Sequence, residues 1–246
     1  MRREISLFMF SLRECYPNNI NITEEFFKDF TKQVKNDGLI QEYFGMLMVI
    51  KTHIIKPLVS IAVRYMYTIL GMNINQPEVK SFDDATDFGA IFCIQRHKYS
   101  GTQLLGFYCS NSKIIYIKDG VHLNKLLPVL FHELTHAFMD QKHIDMEDDY
   151  PKPNTLTFSF ADQMYIADQN EGFCELVMTL MCFSIFDIEQ FPSNVEEYWL
   201  GWRLCLESFI FMSKQLSNTK KNINDIERKK IAFDSLINVI RFKNNL

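Results

Sequence analysis

The chain has 246 residues, 47% of them hydrophobic and 14% aromatic, which is enough for a substantial core in one domain or in one domain with an extension. Its net charge of −4 gives no overall attraction to nucleic acid or to an anionic membrane. We find no apolar run as long as a transmembrane helix, so neither nucleic acid nor a membrane is an expected partner.

The N-terminal part of the chain is predicted to be helical. Thr23 is suited to cap a helix that ends at Gly38, and a second helical stretch covers about residues 40–54. Pro57 and Gly71 bracket a third helix. Its predicted inner face is apolar and consists of Leu58, Ile61, Ala62, Tyr65, Ile69 and Leu70. Residues 73–87 then form a polar connector.

Three strand-like runs follow, at residues 88–95, 103–109 and 113–118, and turn-rich segments separate them. They predict an antiparallel meander. We therefore expect an α+β fold that is mostly helical, with a small antiparallel or mixed sheet. If the second or third run forms an exposed edge, an extended peptide can add to it as a further strand.

Residues 132–136 read His-Glu-Leu-Thr-His, the H-E-x-x-H pattern. On a helix, His132 and His136 lie one turn apart on one face and can reach one metal ion, with Glu133 beside them. An apolar stripe predicts this helix and faces away from both histidines: Leu123, Leu126, Leu127, Leu130, Leu134, Ala137 and Phe138. The helix either begins near residue 127, with Pro128 in its first turn, or begins earlier and is kinked at Pro128.

A catalytic zinc site needs a third protein ligand and an open position. The metzincin continuation of the motif is absent, because Met139 and Lys142 stand where Gly and His are required. Downstream, Glu171 and Glu175 open a segment that is apolar almost all round from residue 173 to residue 188. Carboxylates rarely lose water unless they are paired or bind metal, so Glu171 is the candidate ligand.

Helix capping is the alternative role for Glu171, because Asp168-x-x-Glu171 has the form of a capping box. Capping explains Glu175 less well. Cys174 and Cys182 lie in the same apolar segment, where a free cysteine acts as a small hydrophobic residue.

Taken together, HELTHAF and the later NEGFCELV resemble the gluzincin group of zinc peptidases, the thermolysin-like arrangement in which a Glu from a later helix completes the site. The second element is also similar to the DA1-type peptidase domain, although the LIM and ubiquitin-binding segments of that family are absent. The resemblance spans roughly residues 103–186. It implies a zincin-like fold and one Zn²⁺ per chain, held by His132, His136 and Glu171. It also implies that Glu175 accepts the free N–H of a ligand histidine.

The expected function is that of a zinc-dependent endopeptidase acting on a protein or peptide substrate. Glu133 removes the proton of a water whose pKa zinc lowers to about 7, and then passes that proton to the leaving amine. A further donor for the oxyanion is expected. The candidates, unranked by the sequence, are Tyr165, Tyr150, Tyr198 and His97.

Two other functions remain open. The first is a metal-binding scaffold or pseudo-peptidase without activity, which the intact Glu133 disfavours because a structural site needs no base. The second is a regulator that binds nucleic acid through its basic C-terminal residues. Interleaved acidic residues and the lack of an aromatic platform disfavour this second function.

We divide the chain into an N-terminal helical region (1–87), a metallopeptidase core (88–190) and C-terminal helices (191–246). Ser193 and Asn224 are expected to open helices of the last region as capping boxes.

The cysteines show no C-x-x-C spacing, so reduced thiols are expected. No signal-peptide cleavage site is recognisable, which predicts a cytoplasmic protein or one delivered into a host cell without a signal peptide. The oligomeric state is not readable from the sequence.

Overall fold

The computed structural model describes most of the chain from residue 52 onwards. The described ranges are 52–100, 104–121, 123–144, 157–160, 163–166, 169–186, 196–218 and 224–243, with single helical positions at Glu25, Lys28, Asp29 and Lys32. Those four positions agree with the predicted helix between Thr23 and Gly38. The helix predicted for residues 40–54 falls outside the described residues, apart from 52–54.

Helix α1, Thr52–Leu70, is the first continuous element. The whole predicted inner face is buried: Leu58, Ile61, Ala62, Tyr65, Ile69 and Leu70. Gly71 ends the helix with φ at 72°, and its N–H donates to the carbonyl of Tyr67 at 3.0 Å. This is the left-handed residue that commonly follows a helix. The helix begins upstream of Pro57, so the predicted start was too late.

A three-stranded sheet consists of β1 (Glu78–Ser81), β2 (Gly106–Cys109) and β3 (Ile114–Ile117), in the order β1-β3-β2. Strand β3 pairs antiparallel with β2 and parallel with β1, so the sheet is mixed. The β2–β3 hairpin was predicted correctly. The polar connector was wrong in part: it contains β1, in which Val79 and Ser81 are buried, and a 3₁₀ helix, Phe82–Asp84.

The strand predicted at residues 88–95 is wrong, because this segment lies in helix α2, Phe88–Ser100. Asp87 stabilises the start of α2 by accepting the N–H of Ala90 at 3.0 Å. Phe88 and Phe92 are 83% and 59% exposed, whereas Ala90 is buried. Continuous apolar runs do not distinguish a strand from a helix, which is why the sequence was misread.

Strand β3 is buried on both faces of the sheet. Ile115 and Ile117 belong to the main core, while Ile114 and Tyr116 form a smaller cluster with Ala90 of α2. A strand covered on both sides reads as a continuous apolar run, as β3 does. The sheet therefore lies between the main helical core and α2.

The remaining elements are α3 (Leu123–Gln141), an antiparallel pair of strands, β4 (Thr157–Phe160) and β5 (Gln163–Ile166), and the helices α4 (Gln169–Phe186), α5 (Glu196–Asn218) and α6 (Asp225–Lys243). Helix α3 begins upstream of Pro128, in agreement with the earlier-start alternative. The described side chains of its predicted apolar stripe are buried: Leu126, Leu127, Leu130, Leu134, Ala137 and Phe138.

Helix α4 packs between α3 and α5 and is buried along its length, as predicted. The backbones of α4 and α5 come very close at Gly172, where an added Cβ would lie 2.1 Å from the carbonyl carbon of Gly201. The next residue after Gly201, Trp202, extends the contact, because its Nε1–H donates to Oγ1 of Thr179 at 3.0 Å. Glycine at residue 172 thus permits the crossing.

At the C-terminal end, the capping box of α6 is confirmed. Asn224 Oδ1 accepts the N–H of Glu227 at 2.9 Å, and Glu227 accepts the N–H of Asn224 at 3.3 Å. Ser193 lies outside the described residues. The five described cysteines are free thiols. None of the helices in the described ranges combines the length and the apolar character needed to cross a membrane.

The fold is α+β, mostly helical, with one small mixed sheet of three strands and a separate two-stranded pair within the described ranges. One main core includes buried residues from Leu58 in α1 to Leu236 in α6. The division into three regions stays a prediction.

Candidate metal centre

Helix α3 presents His132 and His136 on the side that faces α4. Their Nε2 atoms lie 3.1 Å apart, and their ring planes are inclined at 64°. The side chains are 13% and 23% exposed, so the pair lies at the edge of the core rather than inside it. The position is the one expected from the spacing of the motif and from the apolar stripe on the other side of α3.

Helix α4 brings Glu171 to the same point. Its Oε2 lies 3.0 Å from Nε2 of His132, and its Oε1 lies 3.4 Å from Nε2 of His136. Ligands about 2.0–2.1 Å from a tetrahedral zinc ion are separated from each other by about 3.3–3.4 Å. The three side chains therefore have nearly the spacing of a zinc coordination shell.

Glu175 follows Glu171 by one turn and is buried. Its Oε1 lies 3.7 Å from Nδ1 of His132, which is beyond hydrogen-bonding distance. The carboxylate is on the side of the ring predicted for it. If the two side chains moved slightly closer, Nδ1–H of His132 would donate to Glu175, and this hydrogen bond would fix the orientation of the imidazole ring.

Cys174 is the residue that the sequence interpretation missed. A donor atom from each of His132, His136 and Cys174 lies within 4.8 Å of the other two, so these three residues could hold a metal ion. Cys174 is fully buried, and its sulfur also lies 3.9 Å from Sδ of Met139. The spacing in the sequence could have indicated Cys174 as a ligand. Residues at positions i, i+3 and i+4 share a helix face, and this is the spacing of Glu171, Cys174 and Glu175.

The charges in the cluster stabilise the ionised form of Glu171 and the protonated form of His132. Burial raises the pKa of Glu171, but the hydrogen bonds and charges of both histidines outweigh burial and hold the pKa well below its usual range. Burial lowers the pKa of His132, yet its hydrogen bond to Glu171 and the nearby Glu133 hold the pKa above its ordinary value. A bound cation would supply the same positive charge.

The same opposition of burial and charge applies to His136. Burial lowers the pKa of this imidazole, whereas Cys174 and Glu171 raise it, and the result is well above the ordinary value. For Cys174, burial dominates and raises the pKa of the thiol to about 12. The sulfur consequently keeps its proton near neutral pH unless a cation displaces that proton.

Glu133, which follows His132 in α3, contacts the sheet. It is buried, and its Oε2 accepts the backbone N–H of Tyr108 in β2 at 2.7 Å. Strand β2 is itself tied to α3, because the hydroxyl of Tyr108 donates to Oδ2 of Asp140 at 2.6 Å. Lys113, in the β2–β3 turn, forms an ion pair with the same carboxylate at 2.6 Å.

The suggested oxyanion donors stay predictions. The backbone of Tyr165 lies in β5, but its side chain is outside the described part of the structure, as is all of Tyr150. His97 lies in α2 and Tyr198 in α5, again without a described side chain.

Comparison with known proteins gives no assignment: no protein-family model, curated protein or solved structure matches this chain. The interpretation of the site therefore rests on its residues and their geometry.

Proposed function

We propose that this protein is a zinc-dependent endopeptidase of the gluzincin type, in which His132, His136 and Glu171 hold the metal. The observation that carries the proposal is the approach of one carboxylate to both Nε2 atoms, at 3.0 and 3.4 Å, with Glu133 placed beside the histidines on the same helix. Two imidazoles and a carboxylate form a usual ligand set of catalytic zinc.

A bound zinc ion would acidify a water molecule and polarise the carbonyl of the scissile peptide bond. Glu133 is the proposed base. The backbone N–H of Tyr108 orients its carboxylate by donating to Oε2, and the remaining lone pairs can accept a proton from water. Glu133 would then return that proton to the leaving nitrogen of the substrate.

We infer that an extended peptide substrate would pair with β2. Strand β3, the other candidate for the exposed edge, has a partner on both sides, so it is not available for strand addition. Strand β2 pairs with β3 alone among the described strands, and it is adjacent to Glu133. An added strand there would bring a substrate carbonyl towards the histidines.

The proposal is tested with purified protein expressed with ample zinc. We expect about one zinc per chain by elemental analysis, and cleavage sites in a denatured cell proteome exposed to the wild-type protein. Glu133→Gln should keep the zinc and the fold and lose about 10²–10⁴-fold in cleavage rate, because only the proton acceptor is removed.

Equal cleavage by the wild-type protein and Glu133→Gln would assign the base to another residue. A folded protein that neither contains nor takes up zinc would contradict the whole proposal.

A metal-binding scaffold is the second candidate, and the position of Cys174 favours it. Structural zinc sites are closed and commonly contain cysteine, whereas catalytic sites keep an open position. A scaffold would bind zinc and gain thermal stability from it, and it would give no cleavage sites that disappear in Glu133→Gln.

A further inference from the structure

Two side chains of α4 with donor atoms, Glu171 and Cys174, lie close to the histidine pair, whereas catalysis needs only one ligand besides the histidines. Glu171 and Cys174 come from the same face of α4, because they are three residues apart, and both face the histidine pair of α3. A side chain at i and another at i+3 can bind one ion, as the Glu-x-x-His pairs of di-iron bundles do.

We propose that Cys174 is a fourth protein ligand in the resting protein, where it completes the coordination of the metal with His132, His136 and Glu171. This inference rests on the proposed function and adds a form of regulation to it. A site closed by four protein ligands would have no position for water, so Cys174 would have to leave the metal before hydrolysis.

The distances make such a bond accessible. With zinc–sulfur and zinc–nitrogen bonds of about 2.3 and 2.05 Å, sulfur and nitrogen ligands of a tetrahedral ion are about 3.6 Å apart. The donor atoms of Cys174 and the histidines are within 4.8 Å of one another, so each sulfur–nitrogen distance exceeds the coordinated distance by at most about 1.2 Å. If the sulfur bound the ion, it would release its S–H proton to solvent.

Thiolate is also a ligand that zinc prefers to the water it would replace, and it is a poor ligand for Mg²⁺ and Mn²⁺. The site should therefore be selective for zinc and cobalt over those ions.

The same residues allow two other arrangements. In one, Cys174 contacts His136 without reaching the metal; in the other, it replaces Glu171 as the third ligand.

Cobalt substitution distinguishes these arrangements, since a thiolate bound to Co²⁺ gives a charge-transfer absorption in the near ultraviolet. We expect this band when Co²⁺ is added to the wild-type protein at one ion per chain. Cys174→Ser should bind Co²⁺ and lack the band. Cys182→Ser is the matched control, because Cys182 is buried in the same helix, and this variant should keep the band.

The role of Glu171 is read from the visible bands, which report the number of ligands and their geometry. In the closed site, Glu171→Gln should keep the charge-transfer band, change the visible spectrum and weaken Co²⁺ binding. If Glu171→Gln leaves the spectrum and the affinity unchanged, Glu171 is not a ligand, and the four-ligand arrangement is overturned.

Two further results separate this inference from the proposed function. Wild-type protein that binds Co²⁺ without a charge-transfer band overturns only the role of Cys174, whereas protein that binds neither Co²⁺ nor Zn²⁺ overturns both proposals.

With labelled, denatured casein as the substrate, zinc-loaded Cys174→Ser should cleave several-fold faster than wild type. Equal rates at equal zinc content would show that Cys174 does not close the site.

Discussion

Helix α3 is held differently on its two sides. On the α4 side, the contacts are made by buried or nearly buried groups, Glu171, Cys174 and Glu175, and the position of α4 is set by backbone contact with α5 at Gly172. On the sheet side, the contacts with Tyr108 and Lys113 are polar and partly exposed.

The difference indicates a division of tasks. A ligand set needs fixed positions, and close packing of helices resists small displacements. The base that we propose, Glu133, would have to move between water and a leaving group, and the N–H of Tyr108 in β2 donates one hydrogen bond to it. The following predictions disturb first the α4 side and then the sheet side.

The largest effect is expected from Gly172→Ala. The new Cβ would overlap the backbone of Gly201, so α4 and α5 would have to separate. We expect the free energy of unfolding to fall by about 3 kcal/mol or more. Thermal and urea unfolding measure this loss.

Gly89→Ala is the control, because its Cβ would meet only the Asp87 side chain, at 3.1 Å, and the Asn111 amide, at 3.9 Å. The Asp87 side chain, which caps α2, would have to shift by a few tenths of an ångström, so the loss of stability should be much smaller than for Gly172→Ala. If Gly172→Ala is as stable as this control, the close crossing does not fix α4.

The second prediction compares the two glutamates of α4 by their effect on zinc affinity. Glu175→Ala should weaken binding by about 10–100-fold, the range typical of groups that orient a ligand. Glu171→Ala should weaken it by more than about 100-fold, because it removes a carboxylate next to both histidines. Competition with a chromophoric chelator measures both constants. The reverse order would exchange the roles of Glu171 and Glu175.

On the sheet side, we expect a smaller effect from Tyr108→Phe. The variant loses the hydroxyl that donates to Asp140 but keeps the N–H that donates to Glu133. The free energy of unfolding should fall by about 0.5–1.5 kcal/mol, the usual worth of one hydrogen bond. Zinc affinity should not change. A large loss of zinc affinity would show that the two sides of α3 are coupled.

The smallest effect concerns acid stability and Asp140. Burial raises the pKa of Asp140, but its bonds with Lys113 and Tyr108 outweigh burial and lower the pKa. Its contribution is therefore complete above the unfolded pKa of about 4 and disappears as the pH falls through the lower folded value. Asp140→Asn should be less stable than wild type at pH 7, and the difference should shrink towards pH 3. A constant difference in urea unfolding would argue against this role.

The elements predicted best from the sequence were those with a single strong period. The stripe of α3 and the inner face of α1 repeat every three to four residues, and the described members of both are buried. His132, Glu133 and Glu171 were predicted as site residues for a related reason: histidines one turn apart and acidic residues at the start of an apolar helix are unusual without a chemical role.

The failures have physical causes as well. Residues 88–94 contain no polar side chain, so their pattern does not distinguish a strand from a helix. The Asp87 cap and packing on the sheet favour the helix, and neither is visible as periodicity. Strand β1 has only four residues, which is too few for a recognisable alternation of polar and apolar residues. Its parallel partner, β3, is distant in the sequence, so no local turn indicates the pairing. Cys174 was read as a core residue because burial is its commonest role, and only the position of α3 brings the histidines to it.

The hydrogen bond from Tyr108 to Glu133 also makes the position of the proposed base observable without a substrate. An amide proton that is hydrogen-bonded exchanges slowly with deuterium from solvent, and in the resting protein the exchange of this amide depends on where one carboxylate lies. An inhibitor or a substrate that draws Glu133 away would leave the amide open to solvent and speed its exchange. The exchange rate of the Tyr108 amide thus reports how often the Glu133 carboxylate leaves this hydrogen bond.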